Sequence, residues 1–103
     1  MEYSIDVLLK RYPMLEACKN DIINATELLC SCFDNGGKLL LCGNGGSCAD
    51  CDHITGELLK GFLSARALSD KTKESMTGKC RQLSDDDLKS LQYGLPAISL
   101  CSL

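Results

Sequence analysis

"LLLCGNGGSCADCDHITGELL", residues 39–59, decides the fold. The run opens with Leu39, Leu40, Leu41 and Cys42, the longest apolar stretch of the chain. Apolar residues without alternation read as a short buried strand, here residues 38–42. Gly43, Asn44, Gly45, Gly46 and Ser47 then form a tight loop, and a helix is expected over residues 48–63. Ile54, Leu58, Leu59 and Phe62 would be its apolar face. Strand, glycine loop and helix in that order make a phosphate-binding arrangement. Glycine lets the backbone approach an anion closely, and the first-turn N–H groups and the helix dipole favour negative charge. The Ser47 hydroxyl adds a further donor. The pattern is neither G-x-G-x-x-G nor the lysine-bearing P-loop, so neither a dinucleotide nor a nucleoside triphosphate is indicated.

Two other features share this stretch. His53 and Glu57 are four apart and fall on one helix face behind the loop. A carboxylate and an imidazole placed there could move protons or hold a divalent metal. A solvated, helix-stabilising pair worth a few tenths of a kcal/mol has the same spacing, roughly, and spacing leaves both open. Cys48 and Cys51 form a C-x-x-C at a helix start, where redox centres and zinc ligands occur. With no second C-x-x-C following, they read first as small packing residues on a buried face.

Outward from this stretch, an α/β unit takes shape. Ser4 is expected to cap a short helix that Pro13 interrupts. Leu15, Cys18, Ile22, Ala25, Leu29 and Cys32 repeat at three and four residues, with Ile23, Leu28 and Phe33 widening the stripe. This is an amphipathic helix ended by Asn35-Gly36-Gly37. Residues 64–83 are polar and weakly periodic, and read as an excursion or mobile loop. Ser84 before Asp85, Asp86 and Asp87 is an N-cap with an acidic first turn, for a short helix ended near Gly94. "AISLCSL", residues 97–103, reads as a second buried strand. Two parallel strands are few for an α/β sheet, so the sequence looks like the first part of a larger fold.

Composition bounds the partners. The 103 residues suffice for one small domain, and with 45% apolar and 5% aromatic residues the core must be mostly aliphatic. A net charge of −3 argues against a broad nucleic-acid surface. No apolar run is long enough to span a bilayer, and the N-terminus lacks the pattern of a signal peptide. The eight cysteines would suit a disulfide framework in a secreted domain. Several fall at apolar helix positions, so a reduced, cytoplasmic protein is expected instead.

"CGNGGS" with His53 and Glu57 behind it resembles the sugar isomerase (SIS) domain of the phosphoheptose isomerases. There the pattern is GNGGS, five residues, His, three residues, Glu, which residues 43–57 fit without a gap. "LQYGLPAISL" is similar to the family's run into its second strand. The resemblance implies a three-layer, flavodoxin-like SIS fold with a parallel sheet, here truncated to N-terminal helices plus about two strands as a single partial domain over residues 1–103. It implies an aldose–ketose isomerase that interconverts sedoheptulose 7-phosphate and D-glycero-D-manno-heptose 7-phosphate through an enediol. Glu57 matches the catalytic carboxylate. His53 matches a residue that binds zinc together with Glu57 in some members. Asn44, Gly45, Gly46 and Ser47 match the sugar-phosphate loop. Homo-oligomers, tetramers in the family, use the N-terminal helices. Family members are longer, and the chain lacks their second phosphate-contacting loop, partner histidine and remaining metal ligand, so on its own it is expected to be inactive. An arginine that some members place after Glu57 is also missing, and Lys60 is the nearest substitute. Two alternatives stand beside this one: a non-catalytic SIS module that binds sugar phosphates or proteins, and a thiol redox or zinc protein using Cys48 and Cys51.

Overall fold

A computed structural model describes residues 2–61 and 64–102. The chain divides into two compact units, residues 1–37 and 38–103.

In the first unit, helix α1 (Glu2–Arg11) buries Ile5 and Leu9, one turn apart on one face. It runs through Ser4, which therefore lies inside the helix rather than capping it. Pro13 breaks the ladder as expected, because proline has no N–H and fixes its own φ. It starts a 3₁₀ turn (Pro13–Cys18), and helix α2 (Lys19–Asp34) follows, four residues later than the apolar spacing suggested. α2 has no buried residue. Ile22, Ile23, Cys32 and Phe33 are half-buried, whereas Ala25, Leu28 and Leu29 are exposed. The stop at Asn35-Gly36-Gly37 holds: Gly36 takes φ +74° and the Gly37 N–H returns to the Cys32 carbonyl at 2.8 Å.

The second unit carries the sheet. Strands β1 (Leu39–Leu41) and β2 (Ala97–Ser99) pair in parallel, Leu39 opposite Ala97 and Leu41 opposite Ser99. Helix α3 (Gly46–Leu59) packs on β2 and on the 3₁₀ turn Leu100–Ser102 that follows it. Ala97 and Ser99 are buried, while Leu40 (56% exposed) and Ile98, paired in register, lie open. The strands are thus buried on one face only, because successive strand residues point to opposite sides and only one side is covered. The expected second strand ends at Ser99, three residues in, where the backbone turns into the 3₁₀ turn.

Between α3 and β2 the expected excursion is largely structured. Helix α4 (Asp70–Lys79) starts at Ser69, whose Oγ accepts the Thr72 N–H at 3.2 Å, and ends on Lys79. Its polar sequence leaves no apolar stripe to detect, and it has no buried residue. Helix α5 (Asp85–Ser90) has the predicted start, as a reciprocal capping box. Ser84 Oγ accepts the Asp87 N–H at 3.2 Å, and Asp87 Oδ2 accepts the Ser84 N–H at 2.9 Å. It stops at Ser90, four residues before Gly94. Among the described residues no helix is long and apolar enough to cross a membrane.

Candidate functional site

The site grows from the loop between β1 and α3. α3 begins at Gly46, two residues earlier than its apolar pattern suggests, so Gly46 and Ser47 already lie in its first turn. Gly45 caps it with φ +56° and ψ −123°, a backbone state that side-chain-bearing residues rarely adopt. A Cβ at Gly45 or Gly46 would meet nothing within 4 Å, so both present bare backbone to open space. Gly43 is glycine for a different reason. A Cβ there would lie 2.7 Å from Ser47 Cβ and 2.8 Å from the Ser47 carbonyl oxygen, so only glycine lets the first helical turn fold back over the strand end.

The donors of this cradle differ from expectation in one respect. The Ser47 N–H is spent inside the turn, on the Asn44 carbonyl at 3.1 Å, and the Cys48 N–H goes to the Gly45 carbonyl at 3.1 Å. Among the described residues the Gly45 and Gly46 N–H groups have no backbone acceptor. They, the exposed Asn44 side chain and the exposed Ser47 hydroxyl are donors that can meet an anion.

His53 and Glu57 meet as their spacing requires, His53 Nε2 lying 3.7 Å from Glu57 Oε1. His53 is 78% exposed and Glu57 35%. At 1.5 Å per residue they sit about 9 and 15 Å along the axis from Ser47. Helical side chains lean towards the N-terminus, which brings both nearer the loop. Glu57 Oε2 is buried and has no hydrogen-bond partner. An unpartnered buried carboxylate oxygen costs about 1–3 kcal/mol unless some group satisfies it.

A zinc ion needs about four ligands in tetrahedral array. Among the described residues no group of three or more His, Cys, Asp or Glu side chains comes together to hold one. His53 and Glu57 therefore do not make a zinc site by themselves.

Cys48 and Cys51 lie on the packed side of α3. The inward positions are Cys48, Cys51, Thr55 and Leu58, spaced three, four and three, and Cys51 is buried. Ile54 and Leu59, expected inside, are exposed, and Phe62 falls outside the described residues. Burial pushes the Cys51 thiol above its ordinary pKa. Cys48 is raised chiefly by a hydrogen bond to Cys101, which in turn holds Cys101 below its ordinary value.

Sequence reading missed two residues that set the far end of α3. Arg66 Nη2 donates to the Leu58 carbonyl at 2.8 Å and the Lys60 carbonyl at 2.7 Å, capping carbonyls that a helix end leaves unsatisfied. Gln92 Oε1 accepts the Gly61 and Arg66 N–H groups at 3.1 and 3.3 Å. No local period signals such long-range contacts. A groove of about 530 Å³ runs between α3 and β2, lined by Asp52, Thr55, Gly56 and Leu59 with Ala97, Ile98 and Ser99. Neither His53 nor Glu57 lines it.

Residues 3–91, most of the chain, match the family described as the SIS domain. The chain belongs to the SIS domain family. The phosphoheptose isomerase of Campylobacter jejuni serotype O:6 is 56% identical over 43 residues, 42% of this SIS chain and 23% of the relative. That of Shewanella sp. strain ANA-3 is 37% identical over 83 residues, 75% of the SIS chain and 42% of the relative. That of Chlorobium limicola is 57% identical over 44 residues, 43% and 21% of the two chains. The SIS chain thus spans less than half the length of these curated relatives. No solved structure matches it.

Proposed function

We propose that this SIS chain carries the phosphate loop and the acid–base carboxylate of a phosphosugar isomerase of the phosphoheptose isomerase type. The substrates are sedoheptulose 7-phosphate and D-glycero-D-manno-heptose 7-phosphate. The observation that carries this is the joint placement on one helix of a bare glycine N-terminus and, behind it, Glu57 with an unpartnered buried oxygen. The names of the relatives support the substrate class.

The Gly45 and Gly46 N–H groups and the Ser47 hydroxyl hold the phosphate, and Asn44 shapes the loop. The Glu57 carboxylate removes the proton from the carbon beside the carbonyl and returns it to the neighbouring carbon, passing through an enediol, while solvent protonates the first carbonyl oxygen and takes the hydroxyl proton from the other. His53, 3.7 Å away, orients that carboxylate. Were zinc used, His53 and Glu57 would be the two ligands this chain supplies, with the others from outside its described residues; none of the steps above depends on it. The isolated chain is expected to bind sugar phosphate without turnover. Self-association through α2 belongs to the same proposal and is favoured by Leu28, 71% exposed, beside the exposed Leu29. A clean monomer in sedimentation at micromolar concentration would contradict it. A reduced, cytoplasmic setting also belongs to it, and the eight cysteines are free thiols.

The test is isomerase activity in this chain extended to the length of its relatives. Glu57→Gln should lower kcat by about 10²–10⁴-fold, the usual contribution of a positioned general base, with little change in substrate affinity. Full turnover by Glu57→Gln would remove Glu57 from the chemistry. A non-catalytic sugar-phosphate module would then be the better description.

A further inference from the structure

A helix frays first at its end, because its last four carbonyls have no partner within the helix. In α3 that turn is residues 56–59, so Glu57 sits where the helix is least held by its own ladder. The chain leaves through Lys60 in extended conformation, φ −129° and ψ 158°, without a left-handed glycine to close the turn. The freed carbonyls are answered from elsewhere. The Leu58 carbonyl, next to Glu57, accepts both the Leu95 N–H and Arg66 Nη2, each at 2.8 Å. The same Nη2 donates to the Lys60 carbonyl at 2.7 Å. Arg66 is itself fixed at its backbone. Its N–H donates to Gln92 Oε1 at 3.3 Å, and its carbonyl accepts the Tyr93 N–H at 2.7 Å. The guanidinium therefore ties the end of α3 to the run that leads into β2. Its positive charge also suits the negative end of the helix dipole.

We propose that Arg66 is a positioning residue for Glu57: by clamping the Leu58 and Lys60 carbonyls, it holds the last turn of α3 at a fixed distance from the phosphate loop at the other end of the helix.

This rests on the reading of Glu57 as the base. One helix carries the phosphate donors at its start and the carboxylate in its last turn. Their separation is set only while the helix stays intact as far as Glu57. Misplacing a reacting group by about 1 Å can cost about 10²-fold in rate. Phosphate binding depends on the N-terminal end of α3 and is indifferent to fraying at the other. Loss of the clamp should therefore appear in kcat and not in KM. Arg66 touches neither substrate nor reacting atoms in this account. It acts through the helix.

The experiment compares Arg66→Met, which keeps an apolar stem and loses the guanidinium, with Arg66→Lys, which keeps a charge and donors. In the chain as it stands, backbone relaxation should give the Glu57 amide the order parameter of a rigid backbone, about 0.85. Arg66→Met should bring it down towards about 0.6 and leave Cys51 unchanged, and Arg66→Lys should restore part of the loss. In the chain extended to the length of its relatives, Arg66→Met should lower kcat by about 10²-fold. KM for sedoheptulose 7-phosphate should change little, and Arg66→Lys should recover part of kcat. An unchanged Glu57 order parameter in Arg66→Met would mean that the Leu95 N–H holds the turn alone, and would overturn the proposal. Full kcat in Arg66→Met while Glu57→Gln is inactive would overturn it too, leaving the base in place. Full turnover by Glu57→Gln would instead remove the base, and the positioning role with it. A frayed Glu57 in the unmodified chain overturns the clamp even if Arg66→Met fails to fold.

Discussion

The two faces of α3 make opposite use of the same fourteen-residue helix. On the packed face, Cys48, Cys51, Thr55 and Leu58 turn inward, and the Thr55 hydroxyl donates to the Cys51 carbonyl at 2.8 Å. On the open face, His53 stands in solvent, Ile54 is 43% exposed, and Glu57 keeps a buried oxygen with no partner. The packed side also leaves one buried oxygen without a partner, Ser99 Oγ, but a neutral hydroxyl costs less there than a carboxylate oxygen. A face that leaves a desolvated carboxylate unanswered is stable at a cost, and that cost is reasonable where a substrate or a further segment supplies the missing donor.

Charge placed on each face gives the largest expected contrast. Cys51→Asp buries a carboxylate on the packed face and is expected to abolish cooperative folding in urea titration. Ile54→Asp, three residues on, should stay within about 0.5 kcal/mol of the unmodified chain. Equal losses from the two changes would mean that the open face is covered in solution.

The glycines of the loop sharpen the contrast at its N-terminal end. Gly43→Ala drives a Cβ into the Ser47 backbone and should destabilise by about 1–3 kcal/mol, as overpacking does. Gly46→Ala meets open space at a helical position and should be neutral or stabilising by up to about 1 kcal/mol. If both alanines cost the same, close approach at Gly43 is not what shapes the loop.

Much of this was legible in the sequence. The strand–loop–helix order and the His53–Glu57 pair depend on local spacing, which a helix converts directly into a shared face. The α5 cap was legible for the same reason, since Ser84 and Asp87 satisfy each other within one turn. The packed face was misread because Ile54 and Leu59 are more apolar than Cys51 and Thr55, yet the inward direction is set by where β2 and its following turn lie. α4 was overlooked because it buries nothing, although Ser69, Asp70 and Lys79 mark its ends. The Gln92 contacts with Gly61 and Arg66 join residues far apart in the chain, and the Arg66 cap reaches back past the helix end to Lys60 and Leu58. No local pattern encodes them.

The smallest expected effect is a pH dependence. The hydrogen bonds from the Ser84 side chain and N–H hold the Asp87 carboxyl below its ordinary range. A carboxyl lower in the folded than in the unfolded chain contributes stability above the unfolded value of about 3.9. That contribution is lost as pH falls through the folded value. The protection factor of the Ser84 amide, which donates to Asp87 Oδ2, should therefore hold from neutral pH down to about 4 and fall only below it. Ser84→Ala keeps the backbone donor but loses the hydroxyl, so it should weaken that dependence, and a cap that loosens near neutral pH would point to another group.

The most direct measurement is calorimetric titration of sedoheptulose 7-phosphate into the chain, compared with Gly45→Val and Glu57→Gln. Gly45 holds φ +56° at the helix start, so valine there must distort the loop and withdraw at least one N–H donor. A hydrogen bond to a charged group contributes about 1.5–3 kcal/mol, so affinity should fall at least about tenfold. Glu57→Gln should bind as the unmodified chain does, because a base acts mainly in the transition state. Undiminished binding by Gly45→Val, or lost binding in Glu57→Gln alone, would contradict the division of labour between loop and carboxylate.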